Sequence, residues 1–375
     1  MAETEKSKEG LEGIIAASSS ICSIEDGVLR YRGIDIHELA QHSTFLETVY
    51  LLWNGQLPKA NELKAFESEV NDHLMLAEPL IAAMKEFPKK ANSMDVLRTV
   101  VSMMSFYDPD TGDESLEANK RKALRLLAQL PFAVTAWEHI RNQRDPIFPK
   151  KGLGISANFL YMLRGKEPTD LELRTFDQAL VLHADHEFNA STFAARVTAA
   201  TLTDMYSAIT TAVGTLKGPL HGGANQKVME TLLAIGETSN VEPWLKEAFA
   251  RKERIMGFGH RVYKDGDPRA KELRKMSAAL SQELQDSKWY DMSLKLEGLV
   301  QEQKGLLPNV DFYSASTYYM LKIPFDLYTP IFAVSRISGW TAHVLEQLSN
   351  NRLIRPRADY TGVKSASYIP MSQRS

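Results

Sequence analysis

Three separated segments of this chain pair an ionisable side chain with glycine or proline turns: Gly218-Pro219-Leu220-His221-Gly222-Gly223, Gly257-Phe258-Gly259-His260 running on to Asp267-Pro268-Arg269, and Asn309-Val310-Asp311. Two imidazoles, one carboxylate and a set of arginines are the groups needed to take a proton from carbon beside a carbonyl and to hold a polyanionic acceptor. For that chemistry, distant parts of the chain have to meet in one site.

Each residue also has a plainer reading. His221 precedes a helical run from Ala224 to Leu233, where the positive end of the dipole disfavours imidazolium. A neutral histidine there can donate a hydrogen bond to a developing enolate oxygen. It equally suits a turn or cap, with the glycines supplying left-handed backbone. Gly257-Phe258-Gly259 can turn backbone N–H groups toward a ligand, although no strand precedes it as a dinucleotide fingerprint requires. Asp267 reads as an N-cap and Pro268 as the first helical residue, so Arg269 falls in the first turn, either beside a bound anion or simply solvated. Asp311 stands at another helix start and reads as a cap as readily as a base.

In His183-Ala-Asp-His186-Glu187 the histidines are three positions apart, not the four of the helical zinc motif, so no metal site is expected. His186 reads as a hydrogen-bonding partner of a substrate oxygen and His183 as a buried structural histidine. Arg336, inside the apolar run Ile331 to Trp340, needs an anion, which a protein carboxylate or a substrate carboxylate supplies. Arg355-Pro356-Arg357 is a basic turn.

The elements that must carry these residues are mostly helical. Asp26-Gly27 between Ser-Ile-Cys-Ser-Ile and Val28-Leu29-Arg30-Tyr31-Arg32 predicts a β-hairpin near the N-terminus. Beyond residue 35, apolar spacings of three and four recur at Phe45, Val49, Leu52; at Leu124, Leu127, Leu130; at Leu173, Phe176, Leu180, His183; and at Val334, Ile337, Val344, Leu348. The expected fold class is all-α. No fixed-period repeat or low-complexity linker marks a boundary, which leaves turns such as Lys217-Gly218-Pro219 and Ile323-Pro324.

The 375 residues, 44% apolar and 24% charged, suffice for a large core in one or two domains. A formal net charge of −3 argues against nucleic acid as the main partner, so acidic ligands must be held by locally placed Arg and Lys. The single cysteine, Cys22, can form no internal disulfide, which fits a reducing compartment. The first ten residues are charged and lack the apolar core of a secretory signal, and apolar runs stay well below the roughly 18 residues of a spanning helix. The expectation is a cytoplasmic protein without a membrane segment.

Taken together, Gly218-Pro-Leu-His-Gly-Gly-Ala-Asn-Gln226, Gly257-Phe-Gly-His-Arg-Val-Tyr-Lys264 with Asp267-Pro-Arg269, and Asn309-Val-Asp311 closely resemble the citrate synthase family in order and spacing. The resemblance extends to Tyr31-Arg-Gly-Ile34, His183-Ala-Asp-His-Glu187, Ser335-Arg-Ile-Ser-Gly-Trp-Thr-Ala-His343 and Ile354-Arg-Pro356, nearly the whole chain, and looks like the short bacterial or archaeal form. It implies a large helical domain (1–222 and 325–375), a small helical domain (223–324) and a homodimer. It further implies that Asp311 removes a methyl proton from acetyl-CoA, His221 stabilises the enol and His260 polarises the oxaloacetate carbonyl. By the same carry-over, His186, Arg269 and Arg336 bind oxaloacetate or citrate, and Arg355 reaches in from the partner subunit. CoA would lie along the backbone of Gly257, Phe258 and Gly259, with Arg261 or Lys264 at its phosphates; no metal or other cofactor is implied. The implied activity is acyl transfer at the entry to the tricarboxylic acid cycle. Its alternatives are 2-methylcitrate synthesis from propionyl-CoA and a non-catalytic sensor of CoA or dicarboxylate. The chain departs from the family at Asn92-Ser93-Met94-Asp95, where His-Pro-Met-Asp is frequent, and after Glu187, where Phe188-Asn189 replaces Gly-Gly or Gln.

Overall fold

A computed structural model describes residues 9–11, 13–260 and 262–374. Among them are sixteen α-helices and one three-stranded antiparallel sheet. Asp26 and Gly27 both have positive φ, 52° and 75°, the backbone that a two-residue turn needs to match the twist of its strands. Strands Cys22–Glu25 and Val28–Tyr31 therefore pair with Glu25 opposite Val28. A third strand, Ile34–Asp35, goes beyond the hairpin expectation and ends in Asp35, whose side chain accepts the His37 N–H and caps the next helix.

The helices follow the apolar spacing. Phe45–Asn54, Leu116–Arg141, Asp170–His183 and Tyr328–Ser349 contain the four series singled out above. The last is buried on nearly every face, as expected of a helix apolar all round. It is packed by Phe45–Asn54, Leu116–Arg141, Asp170–His183, Ala190–Ala199 and Met205–Leu216. Helices Ala224–Ile235, Pro268–Glu283 and Lys288–Lys304 pack instead around Val310–Met320. Among the described residues, no helix is long and apolar enough to cross a membrane.

Two devices bring site-bearing segments together. The buried Tyr31 hydroxyl donates to the Asp185 carbonyl (2.9 Å) and accepts the Asp185 N–H (3.1 Å), pinning the stretch between Asp170–His183 and Ala190–Ala199 to the hairpin. On its other side this stretch meets Gly339, whose N–H donates to the Ala184 carbonyl at 3.1 Å. A Cβ at Gly339 would sit 2.5 Å from that carbonyl oxygen and also against the Asp185 carboxylate. Both obstacles belong to a fixed, buried stretch. Gly339→Ala is therefore expected to destabilise the protein by about 2–3 kcal/mol through overpacking, read as a lower urea midpoint; an unchanged midpoint would show that the two segments separate freely.

Candidate active site

His221 lies in the turn that closes helix Met205–Leu216 and opens Ala224–Ile235. Its glycines are not left-handed. Gly222 is required by close approach, since a Cβ would fall 2.5 Å from the Leu216 carbonyl that its own N–H engages at 3.0 Å. The His221 Nε2 accepts the Ser191 N–H at 3.3 Å and lies 2.7 Å from the Ser191 hydroxyl, which Trp340 Nε1–H holds in place. A ring nitrogen accepting a backbone N–H carries no proton, so this network assigns the proton to Nδ1. Burial, reinforced by the Arg336 charge, pushes the imidazole pKa down to about 4. His221 is thus a neutral donor through Nδ1 at neutral pH.

His260 is arranged in the opposite sense to the same effect. Its Nδ1 accepts the N–H groups of Val262 (3.0 Å) and Tyr263 (3.3 Å), which leaves Nε2–H as the free donor. Burial and then Arg269 depress its pKa. The His186 ring lies 5.4 Å from that of His260, edge to face, and burial with the Arg269 and Arg336 charges holds it well below the usual imidazole range. His183 is a buried structural histidine: Nδ1 bonds to the Ala179 carbonyl, and the ring packs against Phe332 and Tyr318.

The cap expected of Asp311 is supplied by Asn309, whose extended backbone and side-chain oxygen take the Asp311 N–H at 3.0 Å. Asp311 stands in the first turn instead, half-buried, and no described residue donates to its carboxylate. Burial pushes its pKa up to about 7, against the opposing pull of Arg269 and Arg336.

Arg269 is buried, not solvated. It forms a two-pronged pair with Asp267 at 2.9 and 2.8 Å. Arg336, 1% exposed, donates Nε–H to the His183 carbonyl at 2.7 Å and packs on Phe332 at 4.7 Å. Among the described residues no carboxylate pairs with it, and its Nη groups have no protein partner. Burial accordingly lowers its pKa. A guanidinium without a carboxylate partner, near a protonatable carboxyl group and neutral imidazole donors, has the chemistry to receive a carboxylate ligand.

The loop carrying His260 is held like a short ladder. Asn309 N–H donates to Gly257 O, Gly259 N–H to Leu307 O, and Phe258 lies opposite Pro308. Gly257 and Gly259 both have positive φ, and a Cβ on Gly257 would lie 2.7 Å from Val228 Cγ2. The Gly259 N–H is therefore already engaged, while the N–H and C=O of Phe258 face away from the ladder and its ring is buried on Phe312. Lys264 is exposed on a cleft of about 370 Å³ between this loop and the hairpin turn. Arg261 lies outside the described residues. Arg355 is exposed in a segment without helix or strand and is not brought to the site within this chain.

His186, His221, His260, Arg269, Arg336 and Asp311 thus converge: the charges on Arg269 and Arg336 are felt at Asp311 and His186, and that of Arg336 at His221. Sequence reasoning missed Ser191, which orients His221, and the pairing of Asp267 with Arg269. Asn189, an N-cap signal two residues before Ser191, placed Ser191 in a first turn but gave no hint of its partner. Tyr263, quoted only as part of a motif, stands against His186, His260 and Arg269.

An all-helical scaffold presenting a half-buried carboxylate, two oriented neutral imidazole donors and buried guanidiniums defines a class of enzyme that forms a carbon nucleophile and adds it to a carboxylate-bearing acceptor. Residues 10–357 match the family described as "Citrate synthase, C-terminal domain". Citrate synthase 2 of Bacillus subtilis is 50% identical over 98% of this chain and 99% of its own length; the citrate/2-methylcitrate synthase of the same organism is 44% identical over 96% and 98%. The solved ternary complex of carboxymethyl coenzyme A and oxaloacetate with citrate synthase from Thermoplasma acidophilum superposes with a TM-score of 0.92 at 32% identity, covering 99% of this chain and 100% of that one. The chain belongs to the citrate synthase family, whose members are acyltransferases.

Because Asp311 titrates near 7 in the fold against about 3.8 when unfolded, the native state retains its proton longer, and stability is lost as pH rises between those values. Asp311→Asn removes that cost. It is expected to be more stable than the parent by about 2 kcal/mol at pH 8, about half of what the full shift would give because the carboxylate is partly exposed, with the gain shrinking toward pH 5. Melting temperatures of both proteins at the two pH values check this; a gain independent of pH would contradict the raised pKa.

Proposed function

We propose that this protein is a citrate synthase that condenses acetyl-CoA with oxaloacetate and water to give citrate and CoA. The observation that carries this reading is the layout of protons: a carboxylate poised near neutrality beside imidazoles held neutral, each with its donor N–H fixed. Asp311 takes a proton from the acetyl methyl group. The thioester oxygen, as it gains enolate character, receives a hydrogen bond from His221 Nδ1–H. The enol carbon then bonds to the keto carbon of oxaloacetate, whose oxygen accumulates charge against His260 Nε2–H. Hydrolysis of the resulting citryl thioester releases CoA and citrate. Arg336 and Arg269 hold substrate carboxylates and His186 donates to the acceptor, charge-assisted contacts that fix orientation as well as affinity.

In this reading residues 223–324 form a small domain that closes on a large one made of 1–222 and 325–375, excluding water from the reaction. The outward-facing backbone N–H and C=O of Phe258 meet the CoA arm, and Lys264 meets its phosphates. A homodimer is supported by the C-terminal segment, whose Leu353, Tyr360 and Val363 are exposed apolar groups on chain without helix or strand; Arg355 of that segment would complete the partner's site. The CoA thioester is a substrate, no other cofactor is needed, and the cytoplasm is the compartment that fits these substrates.

The relative named citrate/2-methylcitrate synthase favours one second reading, propionyl-CoA as acyl donor. One methylene is worth only about 1–3 kcal/mol in an apolar pocket, so the same site serves either acid. Thiol release from acetyl-CoA and propionyl-CoA, each with oxaloacetate, tests both. A higher kcat/KM for acetyl-CoA is expected, propionyl preference would reassign the product to 2-methylcitrate, and no thiol from either would remove the enzymatic reading.

Since Asp311 must be ionised to act, kcat/KM is expected to fall about tenfold per pH unit below about pH 7, while His221 stays neutral down to about pH 4 and burial likewise favours the neutral rings of His260 and His186. A pH profile flat from 8 to 5 would contradict that role. Arg336→Gln is expected to raise KM for oxaloacetate by about 100-fold with a smaller change in kcat; equal losses in both would place Arg336 in the chemical step instead.

A further inference from the structure

Tyr263 stands among the site's charged groups without being one of them. Its buried ring lies 4.6 Å from that of His260 and 5.7 Å from that of His186, with the Arg269 guanidinium 6.0 Å from its centre. Its backbone N–H donates to His260 Nδ1, and its hydroxyl lies 3.0 Å from His186 Nε2. A buried O–H needs an acceptor, and His186 Nε2 is the only one within hydrogen-bonding distance of the Tyr263 oxygen among the described residues. If Nε2 accepts, the proton of the neutral ring sits on Nδ1, which has no partner among the described residues.

We propose that Tyr263 is a positioning residue at both acceptor-side histidines: its backbone N–H, with that of Val262, leaves Nε2–H free on His260, and its hydroxyl sets the proton of His186 on Nδ1. Both rings then present donors to one ligand bearing a keto group and carboxylates. The inference rests on the citrate synthase reading for the identity of that ligand, but not for the tautomers. Without the hydroxyl, His186 can take either tautomer, and one of them turns a lone pair toward a substrate carboxylate.

Tyr263→Phe removes the hydroxyl and keeps the ring and the backbone N–H. Nitrogen-15 NMR of protein labelled at histidine reads the tautomers in the unliganded enzyme, with His186→Gln identifying the His186 signals. The expected result is Nδ1-protonated His186 in the parent, a mixed or reversed tautomer in Tyr263→Phe, and unchanged His260 signals. KM for oxaloacetate is expected to rise about tenfold, the scale of one lost hydrogen bond, with kcat changing less. In a His186→Gln background the substitution should add nothing further. Identical His186 signals in parent and variant, displaced His260 signals, or a tenfold effect that persists without His186 would each overturn the proposal. Absence of thiol release by the parent enzyme would instead overturn the citrate synthase reading and leave the tautomer assignment standing.

Discussion

The Asp267 carboxylate is the contact through which most of the site is tied together. It pairs with Arg269 through both oxygens, accepts the Arg269 N–H at 3.0 Å, and accepts the Val310 N–H at 2.9 Å. One carboxylate therefore caps helix Pro268–Glu283, fixes the guanidinium on its first turn and anchors the start of Val310–Met320, one residue from Asp311. Burial alone would raise its pKa, but Arg269 holds it below the usual carboxylate range, and Asp267 in turn holds the guanidinium pKa above its ordinary value. Such a pair is tolerable in the interior only when its donors and acceptors are met, and here two helix-start N–H groups and two guanidinium prongs meet the carboxylate. Removing the carboxylate would release an uncompensated cation beside the base.

Around that anchor the electrostatics separate two kinds of residue. Arg336 and Arg269 keep their charge in the interior, and that same charge, added to burial, keeps the nearby imidazoles neutral. Donors that are neutral can stabilise a growing negative charge without first surrendering a proton to solvent. Asp311 shows the converse: a carboxylate without protein donors is a stronger base than an exposed one, and the cations that surround it keep it from becoming too weak an acid to ionise near neutrality.

The helical architecture and the hairpin were legible because they follow from local spacing and turn chemistry, at Phe45, Val49 and Leu52 as much as at Asp26-Gly27. The caps at Asp267 and Asn309 lie equally within reach of local rules, although local rules alone could not decide between Asn309 and Asp311. What was not legible depends on partners far along the chain. The burial of Arg269, the absence of a carboxylate for Arg336 among the described residues and the hold of Ser191 on His221 are tertiary facts, and the convergence of the motifs was readable only through family resemblance. The need for glycine at position 222 likewise comes from the Leu216 carbonyl, a close approach that no backbone rule anticipates.

The stretch from His183 to His186 is held from both ends of the sequence. Tyr31 clasps it from 154 positions upstream, and Arg336 clasps the His183 carbonyl from 153 positions downstream. Contacts of such separation form late, because the entropy of closing the intervening loops must be met before they contribute. On a ribosome the stretch carrying His186 would remain unplaced until the Tyr328–Ser349 helix had emerged, so a chain still being synthesised would hold the guanidiniums of Arg269 and Arg336 apart.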